Sequence, residues 1–181
     1  LKTSQAFGVT PQLETVAKLT VERGRYITDG DVLEAAKVAV MGAEIAKDLF
    51  PFEDPLGNTF RIDDKVFTVV GLLAPVGLAG GSGASLVGRD INFDVHVPFS
   101  TANKIFGDVI IRRESGSFSG AEVQVQEVFI AVPERDRVLS DAARLRRIMQ
   151  VRHPDLTDVE RIIAYELLES ARRSALTCNR V

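Results

Sequence analysis

The chain of 181 residues has one cysteine, no tryptophan and only two histidines. A single thiol, Cys178, excludes an internal disulfide. That leaves the redox compartment open, because disulfides are favoured outside the cytosol but not required there. The two histidines, His96 and His153, lie far apart and not at metal-ligand spacing. Positive charge is also short: 22 Lys and Arg stand against 25 Asp and Glu, a formal net charge of −3. This argues against nucleic acid as a main partner, since phosphate binding needs a basic patch. No cationic start followed by an apolar core marks a signal peptide. The first residue is Leu1 rather than Met, so the expectation is a segment excised from a longer chain, in which missing targeting signals say nothing about location.

Charge is absent altogether from Val66 to Gly88. The run is long enough to cross a bilayer, but it holds six glycines, Pro75, Thr68, Ser82 and Ser85, and its apolar content falls away after Leu78. The pattern predicts a strand followed by a glycine-rich connection at 77–88. That connection approaches a phosphate-binding loop and misses it. Gly83 and Gly88 fit, but Arg89 and Asp90 stand where lysine and a hydroxyl are needed, and a strand is predicted next where the motif opens a helix. The dinucleotide pattern fails at its third position, which is Leu86.

Other catalytic patterns are missing too. Ser82, Ser85, Ser117 and Ser119 lie near glycines without forming a nucleophile elbow. Asp29 and Asp31 flank Gly30 without the further oxygen ligands of a calcium loop, although Glu34 could contribute. Asp63 and Asp64 fall at a predicted turn, where aspartate is common. The arginines at 112, 113, 144, 146 and 147 have acidic neighbours and read as solvated faces. No catalytic, cofactor-binding or metal-binding residue is therefore assigned. The candidate contact residues are Leu78, Leu86 and Val87, which punctuate the glycine-rich segment and could dock in a partner's groove.

What is present is an alternation of short strands and helices, which argues for an α+β or α/β chain. "VTPQLETVAKL" predicts a short helix with Thr10 as cap and Pro11 in its first turn, followed by a polar connection at 22–31. "KVAVM" is a β-branched run. "GAEIAKDLF" has helical spacing, with Ile45, Ala46 and Leu49 on one face. "TFRIDDKVFTVVGLL" predicts a hairpin turning at Asp63-Asp64 and packed on the 43–50 helix. In "INFDVHVPF", Ile91, Phe93, Val95 and Val97 alternate with Asn92, Asp94 and His96, which predicts a half-buried strand with a polar outer face. "STANKIFG" is a helix capped by Ser100 and stopped by Gly107. "RRESGSFSG" reads as a loop and "EVQVQEVFIAV" as a second long strand. The 134–152 segment is the best helix, with Val138, Ala142, Leu145 and Ile148 or Met149 as its stripe. The tail stays ambiguous between a helix from Thr157 and a strand at "RIIAY" followed by a helix.

Taken in order, these motifs resemble a known family. "FGVTPQLETVAKLTVERGRYITDGD", then "KVAVMGAEIAKDLF", then Asp54-Pro55-Leu56-Gly57, the hairpin, "FTVVG", "VHVPFSTANKIFG" and "VFIAV" are similar to the extracytoplasmic core domain of MacB-type ABC transporter permeases, the group that includes LolC/LolE-like and FtsX-like proteins. The resemblance spans roughly residues 7–177. It implies an α+β fold with a mixed α/β, Sabre-like lobe at 1–107, carrying 77–88 as an insertion. A βαβ porter-like lobe lacking its N-terminal half would follow, its second half at 120–177 leading to a membrane-proximal helix. The family's usual membrane helix and first β-α-β piece before the Gly-Val-Thr-Pro region are not in this sequence. The resemblance further implies no ATP hydrolysis in this domain and motion passed from a cytoplasmic ATPase through the membrane part of the parent chain. It implies a periplasmic adaptor or cargo protein as partner, and a dimeric parent protein in the inner membrane with this segment on the periplasmic side. The alternative reading is a soluble periplasmic ligand-binding or chaperone-like module without catalytic activity.

Overall fold

The β-branched run at 38–41 and the stretch at 65–73 become the middle of a mixed sheet. A computed structural model of the chain describes residues 5–76, 90–107, 109–114, 117–122, 125 and 127–152. Strands β1 (Gln5–Val9), β2 (Val21–Gly24), β3 (Val38–Met41), β4 (Thr59–Ile62), β5 (Lys65–Leu73) and β6 (Asp94–Pro98) form one sheet. Its order is β1-β6-β3-β5-β2, with β4 also on β5. β1 runs parallel to β6 and β3 parallel to β5, while β6 and β3 are antiparallel. β4 pairs antiparallel with the first half of β5 and β2 with its last three residues. The chain divides into two compact units, Leu1–Phe129 and Ile130–Val181. The first holds this sheet, helices α1 (Leu13–Val16), α2 (Asp29–Glu34), α3 (Ala43–Leu49) and α4 (Phe99–Phe106), and a separate hairpin of β7 (Val109–Glu114) and β8 (Ser117–Glu122). The second holds α5 (Val138–Arg152).

Helices connect the strands above and below, so both faces of the sheet are covered and two apolar clusters result. One gathers Ala39, Met41, Phe67, Val69, Leu72, Val95 and Val97 under Ile45 and Ala46 of α3 and Ala102 and Ile105 of α4. The other gathers Val9, Tyr26, Ile27, Val40, Leu73 and Ile91, with Leu13 and Val32 against it. A register shift between Ala39 and Val40 of β3 inserts one extra residue into β5. Simple alternation would send Val69 and Leu72 to opposite faces; the bulge puts both in the first cluster and leaves Val70 and Leu73 for the second. At the bulge Gly71 lies opposite Gly24, whose φ is +79°. A side chain on Gly71 would run into the Arg25 carbonyl, and one on Gly24 into the Val70 carbonyl, so only glycine admits this approach.

α4 also closes α2. The Thr101 hydroxyl donates to the Ala36 carbonyl at 2.8 Å and the Ser100 hydroxyl to the Val32 carbonyl. The Val32 carbonyl lies in the last turn of α2 and the Ala36 carbonyl just past its cap, Ala35.

Several sequence expectations change here. The 22–31 connection contains both β2 and the start of α2. Ser100 is not a helix cap: α4 starts at Phe99 after Pro98, and the hydroxyl serves α2 instead. Residues 91–93 form a 3₁₀ turn, and all five residues of β6 are buried, because a central strand in a covered sheet has no outer face. The expected loop at 112–120 lies largely within the β7–β8 hairpin, and residues 127–132 carry no strand. On α5, Met149 rather than Ile148 completes the half-buried stripe. The hairpin at 59–73 turns at Asp63 as expected and packs on α3 through Ile45, Phe60 and Ile62. Leu49 is not part of that contact, being 46% exposed. The helix ends there, and Phe50 packs against the cluster.

Phe67, with no exposed surface, should therefore dominate this core. Phe67→Ala is expected to lower the unfolding free energy by about 3–5 kcal/mol. Leu49→Ala should cost under about 1 kcal/mol. Urea denaturation of both variants checks this, and similar losses would refute the packing described.

Candidate functional site

Three polar links fasten β2 and the segment that follows it to other parts of the first unit. Arg23, on β2, forms a two-pronged pair with Asp54: Nη1 to Oδ1 at 3.0 Å and Nη2 to Oδ2 at 2.6 Å. Asp54 Oδ1 also accepts the Leu56 N–H at 3.1 Å, and the Asp54 carbonyl accepts from Asn58. The turn Asp54-Pro55-Leu56-Gly57 is thereby tied to the strand beside it. Both side chains are about half exposed, so the link orients more than it stabilises.

Two residues on, Arg25 grips Asp31 in the same fashion, Nη1 to Oδ2 at 2.6 Å and Nη2 to Oδ1 at 3.0 Å. Asp31 is buried and belongs to a capping box at the start of α2. Its carboxylate accepts from the Thr28 N–H and hydroxyl at 2.8 and 2.7 Å, and its own N–H donates to Thr28 Oγ1 at 3.3 Å. The Arg25 guanidinium, helped by Thr28, holds the Asp31 carboxyl down to about 2. The same pair raises Arg25 above its ordinary value.

Between these links Tyr26 points into the protein. Its hydroxyl lies 2.8 Å from Nδ1 of His96, the rings meeting edge to face. Burial, with Glu14 and Asp94 nearby, pushes the Tyr26 phenol up. On the other side of the ring, His96 Nε2 lies 3.7 Å from Asp94 Oδ2. Tyr26, His96 and Asp94 are 5%, 2% and 4% exposed. The groups could relay a proton, but their closed surroundings give a substrate no approach. Their role is to fasten the 25–28 segment to β6.

The structure thus redistributes the candidate residues. His96 lies on an inner face of the sheet, and Asp31 is a cap and ion-pair partner. Asp29 occupies the first turn of α2, and Asp63 and Asp64 form the hairpin turn. Among the described residues, no group of three or more His, Cys, Asp or Glu is placed to hold a metal ion. Leu78, Leu86 and Val87, like His153 and Cys178, lie outside the described residues. Sequence reading missed Arg23, Arg25, Tyr26 and Thr28. The one available signal was the capping spacing Thr28-x-x-Asp31, with aspartate in place of the usual glutamate. The two arginine pairs and the Tyr26–His96 contact join residues remote in sequence or on different elements and leave no local pattern.

A mixed parallel and antiparallel sheet with helices on both faces defines an α+β domain, as the sequence led one to expect. The chain belongs to the family described as MacB-like periplasmic core domain, whose pattern it matches over residues 1–148. It is 33% identical over 84 residues to the macrolide export ATP-binding/permease protein MacB of Syntrophobacter fumaroxidans, covering 46% of this chain and 11% of that protein. Its fold is similar to the periplasmic region of MacB from Actinobacillus actinomycetemcomitans, with a TM-score of 0.62 and 22% identity over 95% of this chain and 67% of that one. It is also similar to the extracellular domain of the noncanonic ABC-type transporter YknZ from Gram-positive bacteria, with a TM-score of 0.57 and 21% identity over 82% and 64%. The chain therefore spans only a small part of its full-length relative. No helix among the described residues is long and apolar enough to cross a membrane.

The Asp31 link makes a pH-dependent prediction. Its folded-state pKa lies below the ordinary 3.8, so the ionised carboxylate stabilises the fold above about pH 4 and this contribution is lost as pH falls toward 2. Asp31→Asn should cost on the order of 2 kcal/mol at neutral pH. The gap between wild type and variant should close between pH 4 and 2 in denaturant titrations. A gap that stays constant over that range would refute the ion pair's role.

Proposed function

We propose that this chain is the extracytoplasmic core domain of an ABC transporter permease subunit that transmits motion and contacts a partner protein. The match to the MacB-like family over residues 1–148 carries this reading. In the proposed arrangement a cytoplasmic ATPase drives the membrane part of the parent chain, which works as a dimer. The lobe at 1–107 and the porter-like half at 120–177 then meet a periplasmic adaptor or cargo protein. The segment 77–88, with Leu78, Leu86 and Val87, is the proposed point of partner contact. The tightly fastened loops of the first lobe support the role, because a lobe that transmits displacement must not absorb it by local yielding.

The test uses the full-length permease reconstituted with its ATPase in vesicles. Shortening 77–88 to a four-residue linker should leave ATP hydrolysis within about twofold while transport falls at least about tenfold, a loss of roughly 1.4 kcal/mol in effective coupling. Unchanged transport would remove the segment from the mechanism. Calorimetry with magnesium and ATP should show no binding to the isolated chain; a micromolar dissociation constant, about −8 kcal/mol, would overturn the non-enzymatic reading.

A further inference from the structure

Residues 135–152 carry six arginines against two aspartates, in a chain whose net charge is −3. On α5 these charges are ordered. Arg144, Arg147, Ile148, Val151 and Arg152 fall at i, i+3, i+4, i+7 and i+8, the spacing of a single helix face. They line a shallow groove of about 340 Å³. The face is separate from the stripe of Val138, Ala142, Leu145 and Met149, which is half-buried. Ile148 and Val151 are 53% and 73% exposed. Asp141 lies 3.8 Å from Arg137 and 3.5 Å from Arg144, at one end of the face. Arg147 and Arg152 have no ion pair among the described residues. The face is thus a row of guanidinium groups framing two exposed aliphatic side chains.

We infer that this face of α5 docks an acidic amphipathic helix of a partner protein, with carboxylates set to meet Arg144, Arg147 and Arg152 and an aliphatic side chain to sit between Ile148 and Val151. Charge complementarity selects the sign of the partner, and the planar fork of arginine suits carboxylates two-pronged. The narrow face, with only two aliphatic residues set among the arginines, favours a side-chain-bearing helix over a bilayer. A helix lying in a bilayer surface presents a broad apolar face, and the other apolar stripe of α5 is already half-buried. Helix-in-groove recognition supplies the expected geometry. The inference concerns the chain's own surface and does not depend on the transport reading.

The test is fluorescence anisotropy with the complete 181-residue chain and a labelled helical peptide of about 18 residues, in which Glu at i, i+4 and i+7 frames Leu at i+3. Saturable binding in the range of tens of micromolar is expected at roughly 50 mM salt, weakening at least about tenfold by roughly 300 mM. The double variant Arg147→Ala, Arg152→Ala should weaken it about tenfold or more with an unchanged melting temperature, because both side chains are exposed. Ile148→Asp should do the same, and a Lys-for-Glu peptide should not bind. No saturable binding below about 1 mM, or binding indifferent to the arginines, overturns the inference. Equal, arginine-dependent binding to phosphatidylglycerol vesicles assigns the face to a lipid surface and also overturns it. Self-association in sedimentation that is lost in the double variant points instead to a second copy of the chain.

Discussion

The first unit depends on what happens at residues 69–71 of β5. This strand serves β3 on one side and both β4 and β2 on the other, and its partners do not share one register. The bulge resolves the conflict by moving Leu72 onto the face already served by Phe67 and Val69. It also brings Gly71 against Gly24 so closely that neither position has room for a side chain. From that contact the chain leaves β2 through Arg25 and Tyr26. One side chain reaches Asp31 at the start of α2, and the other reaches His96 on β6. Without the close approach, the segment would be carried away from both partners.

The polar interactions share a common use. Asp31 caps a helix and receives an arginine; Asp54 organises its own turn and receives another. Ser100 and Thr101 satisfy carbonyls at the far end of α2. Each fastens a connection between two elements, and none of them converges with the others on open space. Among the described residues, no buried side-chain polar atom lacks a partner. Such networks specify a single arrangement more than they add net stability, since isolated pairs at the surface contribute little and buried ones must offset their own desolvation. The proposed role, in which the domain works by position, would have use for this property.

The elements legible in the sequence were those with strong local periodicity. The run at 38–41, the hairpin about Asp63-Asp64 and the long helix through Leu145 needed no tertiary information. Where tertiary context intervened, the reading failed. His96 and Asp94 alternate with valines as a solvent-facing pair would, yet they are buried because both faces of β6 are covered. Ser100 has the residue type of a cap but answers the carbonyl of a helix that lies far behind it in sequence. Leu49 has the spacing of a core residue, but the helix ends where Phe50 packs against the core. The bulge in β5 left no trace beyond Gly71 itself. The family resemblance, in contrast, was legible because it rests on ordered short motifs, among them Gly24-Arg25 and Asp54-Pro55-Leu56-Gly57, whose structural duties explain their form.

The proposed function requires the six-stranded sheet and its fastened loops to move as one stiff body while the parent transporter works. Hydrogen–deuterium exchange on the full-length permease with its ATPase, compared without nucleotide and with a non-hydrolysable ATP analogue, tests this directly. Backbone amides of Val40, Val69, Leu72 and Val97, in the three central strands, should show the same protection in both states to within about threefold, a difference below roughly 0.7 kcal/mol. Deprotection of these amides by about a hundredfold on nucleotide binding would mean that the sheet itself opens during the cycle, and would contradict the account.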